Sequence, residues 1–114
     1  MFLFPSHQEG FEYFLKKDRT HSQDVERVSM FYIFAGNHEL MDKVEVFYDF
    51  DNQMIRTDSL EDAKISSSGI DLVKLAFNLY NNFPSGTILD LFANLDEQNR
   101  RLALKAIQLR FNIS

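Results

Sequence analysis

The stretch from Ile70 to Tyr80 constrains the fold more than any other part of the sequence. Its apolar residues recur at helical spacing and cover most of the circumference of a helix. Ser68 and Asp71 have the spacing that begins such a helix, and Phe83-Pro84 ends it because proline disfavours helical geometry in the residue before it. A helix that is apolar nearly all round must be enclosed by other elements. We therefore expect it to be the central, most buried helix.

Four further segments carry helix signals. Each begins with a side chain that can accept a hydrogen bond from free backbone N–H groups, followed by apolar residues at helical spacing. The predicted starts are Ser6–Glu9, Thr20–Gln23, Thr87–Asp90 and Asp96, and the first two helices are predicted to end near Asp18 and at Gly36-Asn37. Glycine and asparagine tolerate the left-handed conformation that often closes a helix. The sequence thus predicts a mainly α, compact bundle of about five helices.

The segment between Glu39 and Ser67 breaks this helical pattern. Val44–Tyr48 and Met54–Thr57 favour strand, and Asp49–Gln53 is rich in turn-forming residues. These residues predict a short β-hairpin in the 44–57 region that lies on the helical body. An extended, irregular segment remains the alternative.

Length and composition restrict the class of protein. The chain has 114 residues, of which 45% are hydrophobic and 25% charged, as expected for a single globular domain over 1–114. It has no cysteine, which excludes disulfides, cysteine-based zinc sites and thiol nucleophiles. We see no targeting peptide and no apolar run long enough to span a bilayer. We expect a soluble, cytoplasmic protein with no membrane partner.

The charge of the chain is concentrated in one place. The acidic segment, which we define as residues Glu39–Asp62, has eight acidic and two basic residues, a net charge of −6, against −5 for the whole chain. From Gln98 to Ser114 there are four basic residues and no acid. Both stretches can be explained simply as helix and loop faces in contact with solvent. The alternative for the acidic segment is a patch that attracts a basic partner. The net negative charge argues against direct nucleic-acid binding, whereas a homodimer that pairs acidic segment with basic helix stays open.

Two short motifs partly match the motifs of metal-dependent enzymes. His38–Asp42 differs in one position from the zinc-protease pattern H-E-x-x-H, but a catalytic zinc needs a third protein ligand. Asp49 and Asp51 follow a predicted strand, as in aspartate-nucleophile phosphatases, without the rest of that motif. We expect no metal and no cofactor. The alternative is a small metal-dependent hydrolase or nuclease that uses His38 with Asp42, Asp49 or Asp51.

Three aromatic residues stand close together in the acidic segment. Phe47, Tyr48 and Phe50 cannot all point inward from one strand, so at least one should be exposed or lie at an interface. Together with the neighbouring carboxylates they form the predicted interaction site. Its residues are Glu39, Asp42, Glu45, Phe47, Tyr48, Asp49, Phe50 and Asp51.

Several pieces of the chain together resemble a known family. They are Phe4 with His7, Tyr48–Phe50, Leu75–Asn81 and Leu95-Asp96. The set resembles a family of small proteins of unknown function from Firmicute bacteria, their phages and mobile elements. The resemblance implies a non-catalytic protein that acts by occupying a surface of a host protein. We expect an acidic interaction module, such as an anti-CRISPR-like inhibitor of a nucleic-acid-binding defence nuclease.

Overall fold

The computed structural model describes all 114 residues and contains eight helices and one two-stranded sheet. In chain order the elements are α1 (Pro5–Asp18), α2 (Val25–Ala35), α3 (His38–Asp42), α4 (Val44–Phe47), β1 (Tyr48–Asp49), β2 (Met54–Ile55), α5 (Ser59–Asp62), α6 (Ser67–Asn81), α7 (Ile88–Ala93) and α8 (Glu97–Arg110). The predicted mainly α class is confirmed, and its five helices correspond to α1, α2, α6, α7 and α8. None of the eight has the length and apolar character needed to cross a membrane.

The central helix of the fold is α2, which corrects the expectation that α6 occupies this position. Every residue of Ser29–Ala35 is buried, and α2 packs against α1, α6 and α8. The residues of the two helices explain why α2 is the more buried. The last two turns of α2 are apolar without interruption from Met30 onward, whereas α6 carries Asp71, Lys74 and Asn78 on a side that is only half-buried.

The starts of α7 and α8 were predicted correctly, whereas those of α1, α2 and α6 were not. Thr87 and Asp90 form the predicted capping box of α7, and Asp96 accepts a 2.9 Å hydrogen bond from the Asn99 N–H at the start of α8. The predicted Ser6–Glu9 cap is wrong because Pro5 already occupies the first turn of α1, which places Ser6 inside the helix. The predicted Thr20–Gln23 cap is also wrong.

Three further helix ends differ from their predictions: the start of α2 and both ends of α6. Asp24 caps α2, accepting from the Arg27 N–H at 3.0 Å, so α2 begins later than predicted. The predicted stop at Gly36 is confirmed, but without a left-handed residue, since φ is −92° there. The predicted Ser68–Asp71 start of α6 is wrong, because Ser66 caps this helix and accepts from the Gly69 N–H at 3.1 Å. Helix α6 also ends before the predicted stop at Phe83-Pro84, since Asn82, with a φ of 67°, provides the left-handed closure.

The predicted hairpin is present but much smaller. Tyr48 pairs with Ile55 and Asp49 with Met54 in an antiparallel register, and the intervening residues form the predicted turn. The predicted strand over Val44–Phe47 is instead a single helical turn, α4, despite its β-branched composition. Local propensity is therefore overridden in α4 by packing, since Val44 and Phe47 both point into the core.

A close approach between α2 and its neighbours depends on Gly36. A Cβ at this position would collide with Leu102 of α8 and approach the His7 Nε2 atom to 2.9 Å. His7 is completely buried, donates from Nε2 to the Tyr32 carbonyl oxygen at 3.0 Å and accepts the Leu3 N–H at Nδ1 at 3.1 Å. This pair of bonds requires the neutral imidazole with its proton on Nε2.

Candidate interaction surface

The acidic segment forms α3, α4, the hairpin and α5, and three of its carboxylates are occupied within the fold. Glu39 accepts a 2.8 Å hydrogen bond from the Ser66 hydroxyl and so supports the start of α6. Glu45 pairs with Lys17 of α1 at 3.3 Å, and Asp49 lies 3.8 Å from the Arg56 guanidinium. Each of these three predicted interaction residues therefore has a structural contact of its own.

The other five carboxylates of the acidic segment are free. All five side chains belong to exposed residues, and none has a cation within 4 Å. They are Asp42, Asp51, Asp58, Glu61 and Asp62. Of the two bases in the segment, Arg56 is used by Asp49, and the Lys43 ammonium donates to the Lys64 carbonyl oxygen at 3.0 Å. The acidic segment consequently presents uncompensated negative charge to solvent.

The hairpin turn is held by its own first residue. The Asp49 carboxylate accepts hydrogen bonds from the Asp51 N–H at 3.0 Å, the Asn52 N–H at 3.1 Å and the Asn52 side-chain amide at 2.8 Å. The bonds from Asn52, together with the Arg56 charge, lower the pKa of Asp49 below its ordinary value. Gln53 closes the turn with a left-handed φ of 55°. The backbone that carries Asp51 is thus fixed.

A polar cluster around the buried Asp18 carboxylate ties this turn to the helical body. We call it the Asp18 cluster, formed by Asp18, Thr20, Arg27, Tyr48 and Gln53. Asp18 is only 1% exposed at the end of α1. Its carboxylate accepts from the Tyr48 and Thr20 hydroxyls, each at 2.7 Å, and lies 3.5 Å from the Arg27 Nε atom. Every carboxylate oxygen of Asp18 therefore has a partner, as a buried charge requires.

The Asp18 cluster also holds the backbone of the turn. The Gln53 side-chain amide donates to the Asp18 carbonyl oxygen at 2.6 Å, and the Arg27 guanidinium donates to the Gln53 carbonyl oxygen at 3.0 Å. Burial raises the pKa of Tyr48, and the Asp18 carboxylate raises it further, so the hydroxyl remains a donor. Burial lowers the pKa of Arg27, but the hydrogen bonds that its guanidinium donates to Tyr48 and Asp24 outweigh this effect and raise it above the ordinary value.

The aromatic residues of the predicted site lie mostly in the core, which corrects their assignment as surface contacts. Phe47 and Tyr48 are completely buried. Because Phe47 ends a helical turn and Tyr48 begins a strand, their side chains do not alternate as on one strand. Phe50 is half-buried, stacks on Phe31 with 5.7 Å between ring centroids, and lies 4.7 Å below the Lys17 ammonium. Only Phe50 is accessible to a partner.

The residues of the metal-dependent alternative are not brought together. His38 stacks on Phe4 with ring centroids 4.6 Å apart at the start of α3, whereas Asp49 is bound into the hairpin turn. No three His, Asp or Glu side chains converge in a way that could hold one metal ion.

Sequence reasoning missed the residues that fix the surface. Asp18, Arg27 and Gln53 come from α1, α2 and the turn, and the Asp18–Tyr48 bond spans 30 positions. No local spacing connects such residues. The one available signal was Asp18 itself, an acid in the last turn of a helix, where the helix dipole disfavours negative charge unless a partner compensates it.

The fold and this surface define a small, mainly helical protein that presents a rigid acidic turn on a bundle. The chain belongs to DUF6075, a family of unknown function, whose model matches residues 1–114. No curated protein and no solved structure matches the chain.

Proposed function

We propose that this protein is a non-catalytic interaction module that docks its acidic segment onto a positively charged surface of another protein. The observation that carries the proposal is the set of five exposed carboxylates without an ion-pair partner. Exposed, unpaired charges accelerate the encounter with a partner of opposite sign, and they discriminate against partners of like sign.

The fixed geometry of the turn supports docking in a second way. A flexible loop loses conformational entropy when it binds, whereas a preorganised loop has already lost it on folding. Asp49 and the Asp18 cluster hold the turn from both sides. Asp51 therefore reaches a partner at a defined position and at a smaller entropic cost.

The partner class we propose is a nucleic-acid-binding defence protein of a host cell. Proteins of this class carry cationic channels for phosphates. A rigid surface with free carboxylates competes for such a channel by imitating the charge of a nucleic acid. In this form of the proposal the protein is an inhibitor encoded by a phage or mobile element, as its family resemblance implies, and it acts by blocking a surface.

A cleavage assay tests this proposal. We expect the protein to inhibit target cleavage by a nucleic-acid-guided nuclease of the host, with an inhibition constant that weakens as salt rises. The variant Glu61→Lys/Asp62→Lys should lose at least tenfold in potency. The control Glu9→Lys/Glu12→Lys makes the same change in charge on the exposed side of α1 and should retain its potency. Equal loss in both variants would show that net charge, not this surface, is responsible.

A further inference from the structure

A second surface, far from the acidic segment in sequence, combines exposed apolar side chains with arginines. We call it the α7–α8 face. Three of its apolar residues are more than half exposed: Ile88 at 63%, Leu89 at 77% and Leu104 at 56%. Its residues are Ile88, Leu89, Phe92, Arg100, Arg101 and Leu104. Large apolar side chains exposed together commonly mark a contact with another molecule.

Helical spacing makes this face continuous. Ile88 and Leu89 stand four and three positions before Phe92, so the three share one side of α7, while Leu91 points into the core. Phe92 and Leu104 line the same open groove, of about 510 Å³, between α7 and α8. The apolar surface therefore runs from one helix to the other.

The groove has a fixed shape and a positive rim. Arg100 donates from Nε to the Phe92 carbonyl oxygen at 3.1 Å and from Nη2 to the Ala93 carbonyl oxygen at 3.3 Å, which ties α8 to the end of α7. Arg101 lies beside it and makes only a solvent-exposed pair with Glu97, at 3.2 Å. Such exposed pairs are weak and are easily exchanged for another carboxylate.

The groove itself carries a positive local charge. Arg100 and Arg101 line it together with a single acid, Glu97, whereas the whole chain has a net charge of −5. An apolar centre beside arginines suits a partner that offers apolar anchors flanked by carboxylates. An open groove between two helices accepts a third helix, which presents such anchors at three- and four-residue spacing.

We propose that the α7–α8 face binds an acidic amphipathic helix of a partner protein. This site is separate from the acidic segment, so the protein has two docking surfaces that prefer partners of opposite charge. Binding buries Leu89 and Leu104, and a carboxylate of the partner takes the place of Glu97 on Arg101.

An NMR titration with defined peptides tests the proposal. The probe is an 18-residue amphipathic helix of leucine and glutamate, added to ¹⁵N-labelled protein. We expect saturable shifts of amide signals confined to α7 and α8. A peptide with lysine in place of every glutamate should bind at least tenfold more weakly.

Variants of the face provide the controls. Leu104→Asp and Arg101→Glu should each weaken binding of the glutamate peptide at least tenfold, with the spectrum otherwise that of the folded protein. Met54→Asp changes a side chain that is 54% exposed on β2 and should bind as the wild type does. Glu61→Lys/Asp62→Lys should also bind normally, which separates this site from the proposed function.

Four results would overturn the proposal: shifts that lie outside α7 and α8, equal binding of both peptides, a mass of two chains for the protein alone at the titration concentration, or tighter binding to phosphatidylglycerol vesicles than to the peptide. The third would assign the face to a second copy and the fourth to a lipid surface. If Leu104→Asp does not fold, the Arg101→Glu result decides.

Discussion

The Tyr48 hydroxyl donates a 2.7 Å hydrogen bond to the Asp18 carboxylate, and both residues are at most 1% exposed. This bond joins the first strand of the hairpin to the end of α1. Arg27 of α2 contacts both groups, since its Nε atom lies 3.3 Å from the Tyr48 oxygen. The position of the acidic turn is thus determined by a buried charge and its partners.

Removal of the Tyr48 hydroxyl should destabilise the protein. In Tyr48→Phe one oxygen of the buried Asp18 carboxylate loses its donor, which costs about 1–3 kcal/mol of the free energy of unfolding. Urea denaturation measures the loss. Tyr13→Phe removes the hydroxyl of an exposed tyrosine and is the matched control. Equal stability of the two variants would contradict the role given to the Asp18 cluster.

The turn should loosen when Asp49 loses its carboxylate. Asp49→Ala removes the acceptor of the Asp51 and Asn52 N–H groups, so their hydrogen exchange should accelerate at least tenfold. Asp51→Ala is the control, because the Asp51 carboxylate accepts no hydrogen bond and the exchange rate at Asn52 should change little. Protection that survives in Asp49→Ala would show that Gln53 and Arg27 alone fix the turn.

Substitution of Gly36 should test how tightly α2 packs against α8. A methyl group at Gly36 meets Leu102 and His7 in a completely buried position, and we expect Gly36→Ala to lose about 1–3 kcal/mol of stability. Gly10→Ala provides the comparison within α1. There the close contact of the new Cβ is with the flexible end of Met41, at 2.7 Å from its Sδ atom, and the Ala35 Cβ atom lies at an ordinary 3.5 Å. Because alanine favours the helix, stability should be kept or rise. The ranking is read from urea midpoints.

Acidification should destabilise the protein through His7. Burial lowers the pKa of His7 below its ordinary value of 6.5 and outweighs the hydrogen bond to the Tyr32 carbonyl oxygen, which raises it. Protonation would also place an N–H at Nδ1 against the Leu3 N–H donor. The unfolded chain then binds the proton more readily than the folded one. Stability is full above pH 6.5 and falls below it by at most about 1.4 kcal/mol per pH unit, until the pKa of the folded state is passed.

Urea denaturation between pH 7.5 and 5 measures this effect. His7→Gln cannot titrate and should show a flatter profile than the wild type. A wild-type slope in His7→Gln would assign the pH dependence to other groups.

The starts of α7 and α8 were predictable because their signals are local. Thr87, Asp90 and Asp96 bond to backbone groups three residues away, and such spacing is visible in the sequence. The order of burial was not predictable in this way. Helix α2 is more buried than α6 because its apolar run is uninterrupted. Periodicity alone favoured α6, since its apolar pattern is longer. Likewise, the β-branched residues of α4 predicted a strand. The segment is a helical turn instead, because this conformation packs Phe47 into the core.

In the candidate site, too, local features were predictable from the sequence and features that depend on the fold were not. The negative charge of the acidic segment was evident from composition, and Asp42 and Asp51 are exposed as a solvated patch requires. The distinction between free and occupied carboxylates was not evident, because Glu39 and Glu45 find their partners in Ser66 and Lys17, far along the chain. The number of carboxylates can be counted from the sequence, but which of them have a partner is known only from the fold.

The central claim is tested most directly by the rate at which the protein associates with the proposed partner, a nucleic-acid-guided nuclease of the host. This rate is measured against salt by stopped-flow fluorescence. For the wild type we predict a rate constant that falls steeply as salt rises. Glu61→Lys/Asp62→Lys should associate at least tenfold more slowly at low salt and with a weaker salt dependence, while Glu9→Lys/Glu12→Lys stays near the wild type. Identical rates and salt dependence for all three proteins would contradict docking through the acidic segment.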